Sequence, residues 1–267
     1  MDSGERLPVV VGVKATKAQF PAVRLARREA LLRKRRLHVV HAFVWPPFAP
    51  PDAPGGDYGS PRQDAERIVA DAVAEARADR PALPVSGEVV DAAPLPTLLN
   101  LSARAALLVL GNETLRASVS MPVDSVAVQV SARAGCPVIV TDGSERPRAP
   151  VVVGVDGSPW MAPTLDLAFE EAALRRAPLI VVHAGASGAP TDGDPLLDGA
   201  LAPWLTRHPD VPVERRPVAG RADVALGELS REAQLLVVGA RGWQARLLGS
   251  VTQAMLHHAA CPVAVAR

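Results

Sequence analysis

The sequence predicts an α/β protein made of two copies of one doubly wound domain. Three observations carry this. Short valine-rich runs alternate with amphipathic segments along the 267-residue chain, the pattern of a parallel sheet with helices on both faces. The order of these runs begins again near residue 151. At the end of the second copy, over residues 234–267, a buried strand, a glycine loop and a helix start follow one another, an arrangement that can accept an anion.

Residues 8–13 (PVVVGV) read as the first buried strand and residues 18–36, approximately, as the first helix. That helix ends in Arg33, Lys34, Arg35 and Arg36. Such a run suits phosphate or nucleic acid, or the negative end of a helix dipole; with no aromatic interleaving, the dipole reading is preferred. Residues 37–43 (LHVVHAF) are the second strand. Prolines and glycines make residues 45–61 a long loop. Helix 63–79, strand 83–90, helix 97–105, strand 106–110, loop 111–124, helix 125–134 and strand 137–141 complete the first half. Residues 142–150 (DGSERPRAP) are polar and turn-rich, so they divide a domain 1–143 from a domain 149–267. The second half then reads strand 151–155, helix 162–176, strand 179–183, loop 185–195, strand 211–218, strand 235–238, a helix from Ser250 and strand 262–266.

Offsets support the repeat. VVVGVK (9–14) matches VVVGVD (151–156), and His41-Ala42 matches His183-Ala184, at a shift of 142. Leu110-Gly111 matches Val238-Gly239 at 128, and Cys136-Pro137 matches Cys261-Pro262 at 125. The shift changes only across the proline-rich and glycine loops, where a duplicated domain tolerates length changes.

Composition narrows the function. Hydrophobic residues make up 48% and charged residues 21%, as in a globular protein with a core. A net charge of +1 gives no field toward nucleic acid or membrane, and 3% aromatics gives no stacking platform. The two cysteines, Cys136 and Cys261, form no CxxC pair, so neither a disulfide scaffold nor a cysteine-rich zinc site is expected. With no leader pattern and no apolar run of roughly 20 residues, a cytoplasmic location is the default expectation.

In the last segment, Gly239, Gly242 and Gly249 let the backbone approach a ligand. Ser250 with Gln253 three residues on reads as a capping box, which places Ser250 at the cap. The first amides of that helix lack partners and carry the positive end of its dipole. The same residues also make a plain strand-to-helix turn, which the spacing alone slightly favours.

Val153-Gly154-Val155-Asp156-Gly157-Ser158, with Gly239-Ala240-Arg241-Gly242 and Gly249-Ser250, resembles the universal stress protein family in its tandem two-domain form. The resemblance covers nearly the whole chain. It implies in each half a five-stranded parallel sheet of order 3-2-1-4-5, with a nucleotide across its carboxyl edge. The implied ligand is ATP, with or without magnesium, in the second half. Asp156, in the turn with Gly157 and Ser158, then stands at the nucleoside end. Backbone around His183 and Ala184 borders the base. Amides of Gly242, Gly249, Ser250 and Val251, beside Gly239, meet the phosphates with the Ser250 hydroxyl. Arg241 pairs with a phosphate or with a surface carboxylate. The resemblance also implies pairing of the halves through the fifth strands, 137–141 and 262–266, which covers two apolar edges. Association of two whole chains is left open.

Two departures matter. Only six residues, 243–248, separate Gly242 from Gly249 where the family pattern has nine, shortening the reach by up to ~10 Å. Trp243 then covers the site or fills space, and packing is the preferred reading. The first half keeps the spacing but has Lys14 for the aspartate, and Thr114 and Asp124 for two glycines. Thr114 disfavours positive φ, Asp124 repels phosphate, and Pro122 removes a donor. The first domain is therefore expected to bind no nucleotide and to serve as a structural partner.

Two functions follow: a stress-response regulator or sensor with one adenine-nucleotide site, or a nucleotide-free scaffold of the same fold. No catalytic residue is assigned and turnover is not required, although weak ATP hydrolysis stays open. There is no GxSxG elbow, no GxxxxGK[ST] loop and no GxGxxG after a first strand. No dedicated metal cluster is evident, and His257 and His258 read as a polar or interface face of the last helix.

Overall fold

The computed structural model describes residues 6–14, 20–44, 59–112, 125–141, 146–158, 161–185, 195–240 and 248–267. The first half contains β1 (Val9–Gly12), α1 (Phe20–Leu32), β2 (Leu37–Phe43), α2 (Gly59–Arg77), β3 (Val85–Asp91), α3 (Pro94–Ser102), β4 (Leu107–Gly111), α4 (Val126–Arg133) and β5 (Val138–Thr141). The second contains β6 (Val151–Val155), α5 (Ala162–Arg175), β7 (Leu179–Gly185), α6 (Pro195–Arg207), β8 (Val213–Ala219), α7 (Ala222–Leu229), β9 (Leu235–Gly239), α8 (Ser250–His258) and β10 (Val263–Ala266).

The strands form one ten-stranded sheet in the order β3-β2-β1-β4-β5-β10-β9-β6-β7-β8. Every ladder is parallel except β5–β10, where Val140 faces Val263 and Val138 faces Val265. The valine runs are buried on both sides, as parallel strands under two helical layers must be. Alternate residues feed two cores. Val9, Val11, Val151 and Val153 pack with α1, α2, α5 and α6, and Val10 and Val152 pack with α3, α4, α7 and α8. Both cores run through both halves. Pro217 falls in β8, an edge strand, where a missing ladder donor is tolerated.

The repeat extends to side-chain detail. Ser102 accepts from the Gly135 amide at 2.8 Å and donates to Leu99 O. Ser230 accepts from the Ala260 amide at 2.9 Å and donates to Gly227 O.

Several boundaries differ from the sequence reading. The first helix stops at Leu32, not residue 36, because Lys34 takes a left-handed φ of 51°. Helix α2 begins at Gly59, inside the expected loop 45–61, and α3 begins at Pro94, since proline suits a first helical turn. The sequence reading assigns nothing between residues 195 and 211 or between 218 and 235; the structure has α6 and α7 there.

The largest correction concerns Arg33. It does not serve the dipole of α1. Its guanidinium bonds the carboxylates of Glu29 and Glu171, and Arg175 bonds the same two. The four form a closed ring of alternating charge between α1 and α5. Both glutamates are 0% exposed, Arg33 is 6% and Arg175 is 2%. The shift of 142 maps Glu29 onto Glu171 and Arg33 onto Arg175, so the ring lies on the local two-fold between the halves. Burial lowers the pKa of Arg175, opposed by the Glu29 charge.

Further bonds join the halves. Arg267 donates to Ala134 O at 2.6 Å and Ala132 O at 2.9 Å, satisfying carbonyls at the end of α4. Asn112 donates to Leu256 O at 2.9 Å, and Arg28 to Gln234 Oε1 at 3.1 Å.

Cys136 and Cys261 are both buried, and neither is in a disulfide. Burial pushes the Cys136 thiol up to about 12, against about 8.5 in an unfolded chain. The folded state therefore holds this proton more tightly. Its contribution to stability is complete below about pH 8.5 and is lost as pH rises toward 12. We expect no labelling of Cys136 by a disulfide reagent at pH 8 until denaturant is added; mass spectrometry of the modified peptide checks this.

Candidate ligand site

Strand β6 sits between β7 and β9, the point where chain order reverses and where open α/β sheets leave a crevice at their carboxyl ends. Beyond β6 the chain turns at Asp156-Gly157-Ser158. Asp156 Oδ1 accepts from the Ser158 amide at 3.0 Å, and Gly157 takes φ 70°, a conformation that glycine adopts without strain. His183 abuts this turn: its Nε2 lies 3.8 Å from where a Gly157 Cβ would be.

Helix α8 is docked against β9 by Thr252, whose hydroxyl donates to Gly239 O at 2.6 Å. The expected capping box is not formed. Gly249 is the cap residue, with φ −59° and ψ 150°, Ser250 is already helical, and no side chain caps the helix. Gln253 instead sends its amide to Leu248 O at 3.1 Å. The first helical turn closes with the Gln253 amide on Gly249 O at 3.0 Å. The preceding amides, of Ser250, Val251 and Thr252, have no acceptor within the helix.

A cavity of ≈ 210 Å³ opens between these elements. Of the residues singled out from the sequence, Asp156, Ser158, Ala184, Gly239, Gly249, Ser250 and Val251 line it. Gly157 does not; its part is the turn. Arg241, Gly242 and Trp243 lie outside the described residues, while Leu248 is buried. The sequence reading missed Met161, which precedes α5, Thr164 of α5, Val182 of β7 and Leu226 of α7. Thr252 was missed too, although a threonine in a first helical turn beside a glycine strand end is a usable signal.

Gly154 forms the floor. A Cβ there would lie 2.7 Å from Leu226 Cδ1. Gly154→Ala is therefore expected to displace Leu226 and cost about 1–3 kcal/mol, read as a lower denaturation midpoint.

The first half treats the same address differently. A Cβ on Gly12 would meet Leu110 at 2.9 Å and Leu98 at 3.1 Å. Leu98 corresponds to Leu226, but Leu110 stands where the second half has Val238. The extra methylene occupies space that is open beside Val238. Ala127 replaces Thr252 and lacks its hydroxyl, and exposed Lys14 replaces Asp156. Thr114, Pro122 and Asp124 lie outside the described residues.

Among the described residues, no group of three His, Cys, Asp or Glu could hold a metal ion, and no helix is long and apolar enough to cross a membrane.

These features define a paired, doubly wound α/β protein with an open cavity at the carboxyl edge of its second half. The chain belongs to the universal stress protein family, whose model matches residues 6–142 and 148–267. It is 37% identical over 289 residues to a universal stress protein of Mycobacterium tuberculosis, covering 97% of this chain and 96% of that one. A second universal stress protein of that organism is 35% identical over 298 residues, covering 100% and 99%. Among solved structures, a universal stress protein from Archaeoglobus fulgidus superposes with a TM-score of 0.74 at 14% identity, over 98% of this chain and 96% of that one. That likeness bears on the fold.

Proposed function

We propose that this chain is a stress-response protein that binds one adenine nucleotide, in its C-terminal half. The observation that carries the reading is the cavity of ≈ 210 Å³ walled by the Asp156 turn on one side and the uncapped start of α8 on the other. A carboxylate at one end suits the hydroxyl and amino donors of a nucleoside. Unpartnered helical amides at the other suit phosphate oxygens. The volume is below the roughly 300–1,000 Å³ of a pocket that encloses a whole drug-sized ligand. It takes the inner part of the nucleotide, with the remainder across the open rim. A magnesium ion, when present, rides on the phosphate oxygens.

Val238→Leu tests the reading, because it copies the first half's Leu110 into the wall of the second half's cavity. It is expected to weaken ATP binding at least about tenfold, or 1.4 kcal/mol, with the folded state kept. Equilibrium dialysis of both proteins reads this. If wild-type protein retains no ATP, ADP or AMP, the nucleotide-free scaffold is the correct reading.

A further inference from the structure

At the amino-terminal edge of the first half lies a second concavity, a groove of ≈ 530 Å³. It runs between the end of α1 and the turn joining α2 to β3. Ala30, Leu31, Pro81, Ala82, Leu83 and Pro84 make its floor and walls. Lys34, Arg35, Arg36 and Arg80 stand around it, with Asp79 the one acid among the described residues. Asp79 is engaged by Arg27 at 3.3 Å. Arg35 donates to Leu7 O and Arg80 to Asp79 O, each at 3.0 Å. Those acceptors are neutral, so these bonds do not cancel the charges of Arg35 and Arg80. In a chain of net charge +1, this is a concentrated field.

The fold does not require these cations. The second half supplies the control. Lys34 corresponds to Arg176, and both take φ 51° where the helix ends. Arg35 and Arg36, however, correspond to Ala177 and Pro178. The basic pair is an addition of the first half, and no residue of this groove lines the cavity of the second half. Apolar exposure gathers at the same end. Leu31 is 40% and Leu7 47% exposed, two of four large exposed hydrophobics among the described residues.

We propose that this groove binds an acidic peptide segment of a partner protein. Its carboxylates lie against Lys34, Arg35, Arg36 and Arg80, and an apolar side chain rests on Leu31 and Pro81. Concavity argues against a planar bilayer, which needs protruding side chains. Among the described residues no aromatic lines the groove, which argues against single-stranded nucleic acid, since that ligand stacks its bases.

The test is fluorescence anisotropy of full-length protein with a fluorescein-labelled Glu-Glu-Leu-Leu-Glu-Glu peptide and its Gln-for-Glu counterpart. The acidic peptide is expected to bind, more tightly as salt falls, and the neutral one not. Arg36→Glu/Arg80→Glu should weaken binding at least about tenfold, with an unchanged thermal midpoint. Should that variant misfold, Arg80→Ala alone, at an exposed turn position, gives the same direction. Absence of binding at low salt, or equal binding by the variants, overturns the proposal. So does stronger capture of phosphatidylglycerol vesicles or of a single-stranded oligonucleotide that the same substitutions abolish.

Discussion

Glu29→Ala is expected to destabilise the protein by about 3–5 kcal/mol. Glu29 accepts from both Arg33 and Arg175 in a ring that is almost wholly sealed from water. Removing it leaves two guanidinium groups facing one carboxylate, Glu171, across the junction of the halves. The penalty is the uncompensated buried charge, not only the lost bonds. For a chain of this size the thermal midpoint should fall on the order of 10 °C. Replacing all four ring members with leucine and methionine should behave differently. It removes the desolvation cost together with the attraction and is expected to leave the midpoint at or above that of wild type. Calorimetry on the two variants separates a ring that holds register between the halves from one that supplies net stability. A loss below about 1 kcal/mol for Glu29→Ala would mean that water reaches the ring.

The second large effect is expected at Gly249, and there folding and binding should move in opposite directions. Gly249 caps α8 in an extended conformation, φ −59° and ψ 150°, open to any residue. Aspartate is among the best cap residues, so Gly249→Asp should raise stability by a few tenths of a kcal/mol. The same carboxylate occupies the start of the helix and repels phosphate, as Asp124 is placed to do in the first half's sequence. ATP affinity should drop by about 10–100-fold, the 1.4–2.7 kcal/mol of one close like-charge contact at intermediate dielectric. A variant that folds better and binds worse cannot be explained by general damage. Thermal shift without and with ATP reads both quantities on one sample.

Much of the fold was legible because duplication wrote it twice. The VVVGV runs are buried on two faces, and the shifts of 142, 128 and 125 place length changes in loops. What failed has physical reasons. Glu29 and Arg33, and Glu171 and Arg175, are spaced i,i+4, which on one helix reads as a solvated ion pair. The recurrence of Glu-x-x-x-Arg at a shift of 142 was the signal that the two pairs face each other across the local two-fold. Helix α6 carries Gly199 and Pro203, and α7 has only eight residues with Gly227 inside. Neither has the propensity to stand out, and both rest on tertiary packing.

The candidate site was legible where it follows contiguous motifs. Asp156, Ser158, Gly239, Gly249, Ser250 and Val251 reach the cavity as the strand ends and helix start require. Met161 and Thr164 follow the Asp156 turn closely but carry no motif, and Leu226 comes from an element distant in sequence that only the folded sheet brings alongside. Ser250 was misplaced by one position. The serine-to-glutamine spacing fits a capping box, but glycine already supplies the extended cap, and Gln253 finds a closer carbonyl in Leu248.

Titration calorimetry of ATP into the full-length protein tests the central claim most directly, namely that the second half alone has kept a working phosphate-binding helix start beside an open cavity. The account predicts one site per chain, strongly weakened by Gly249→Asp. No heat and no thermal shift in the wild type, two sites per chain, or undiminished binding by that variant would contradict it.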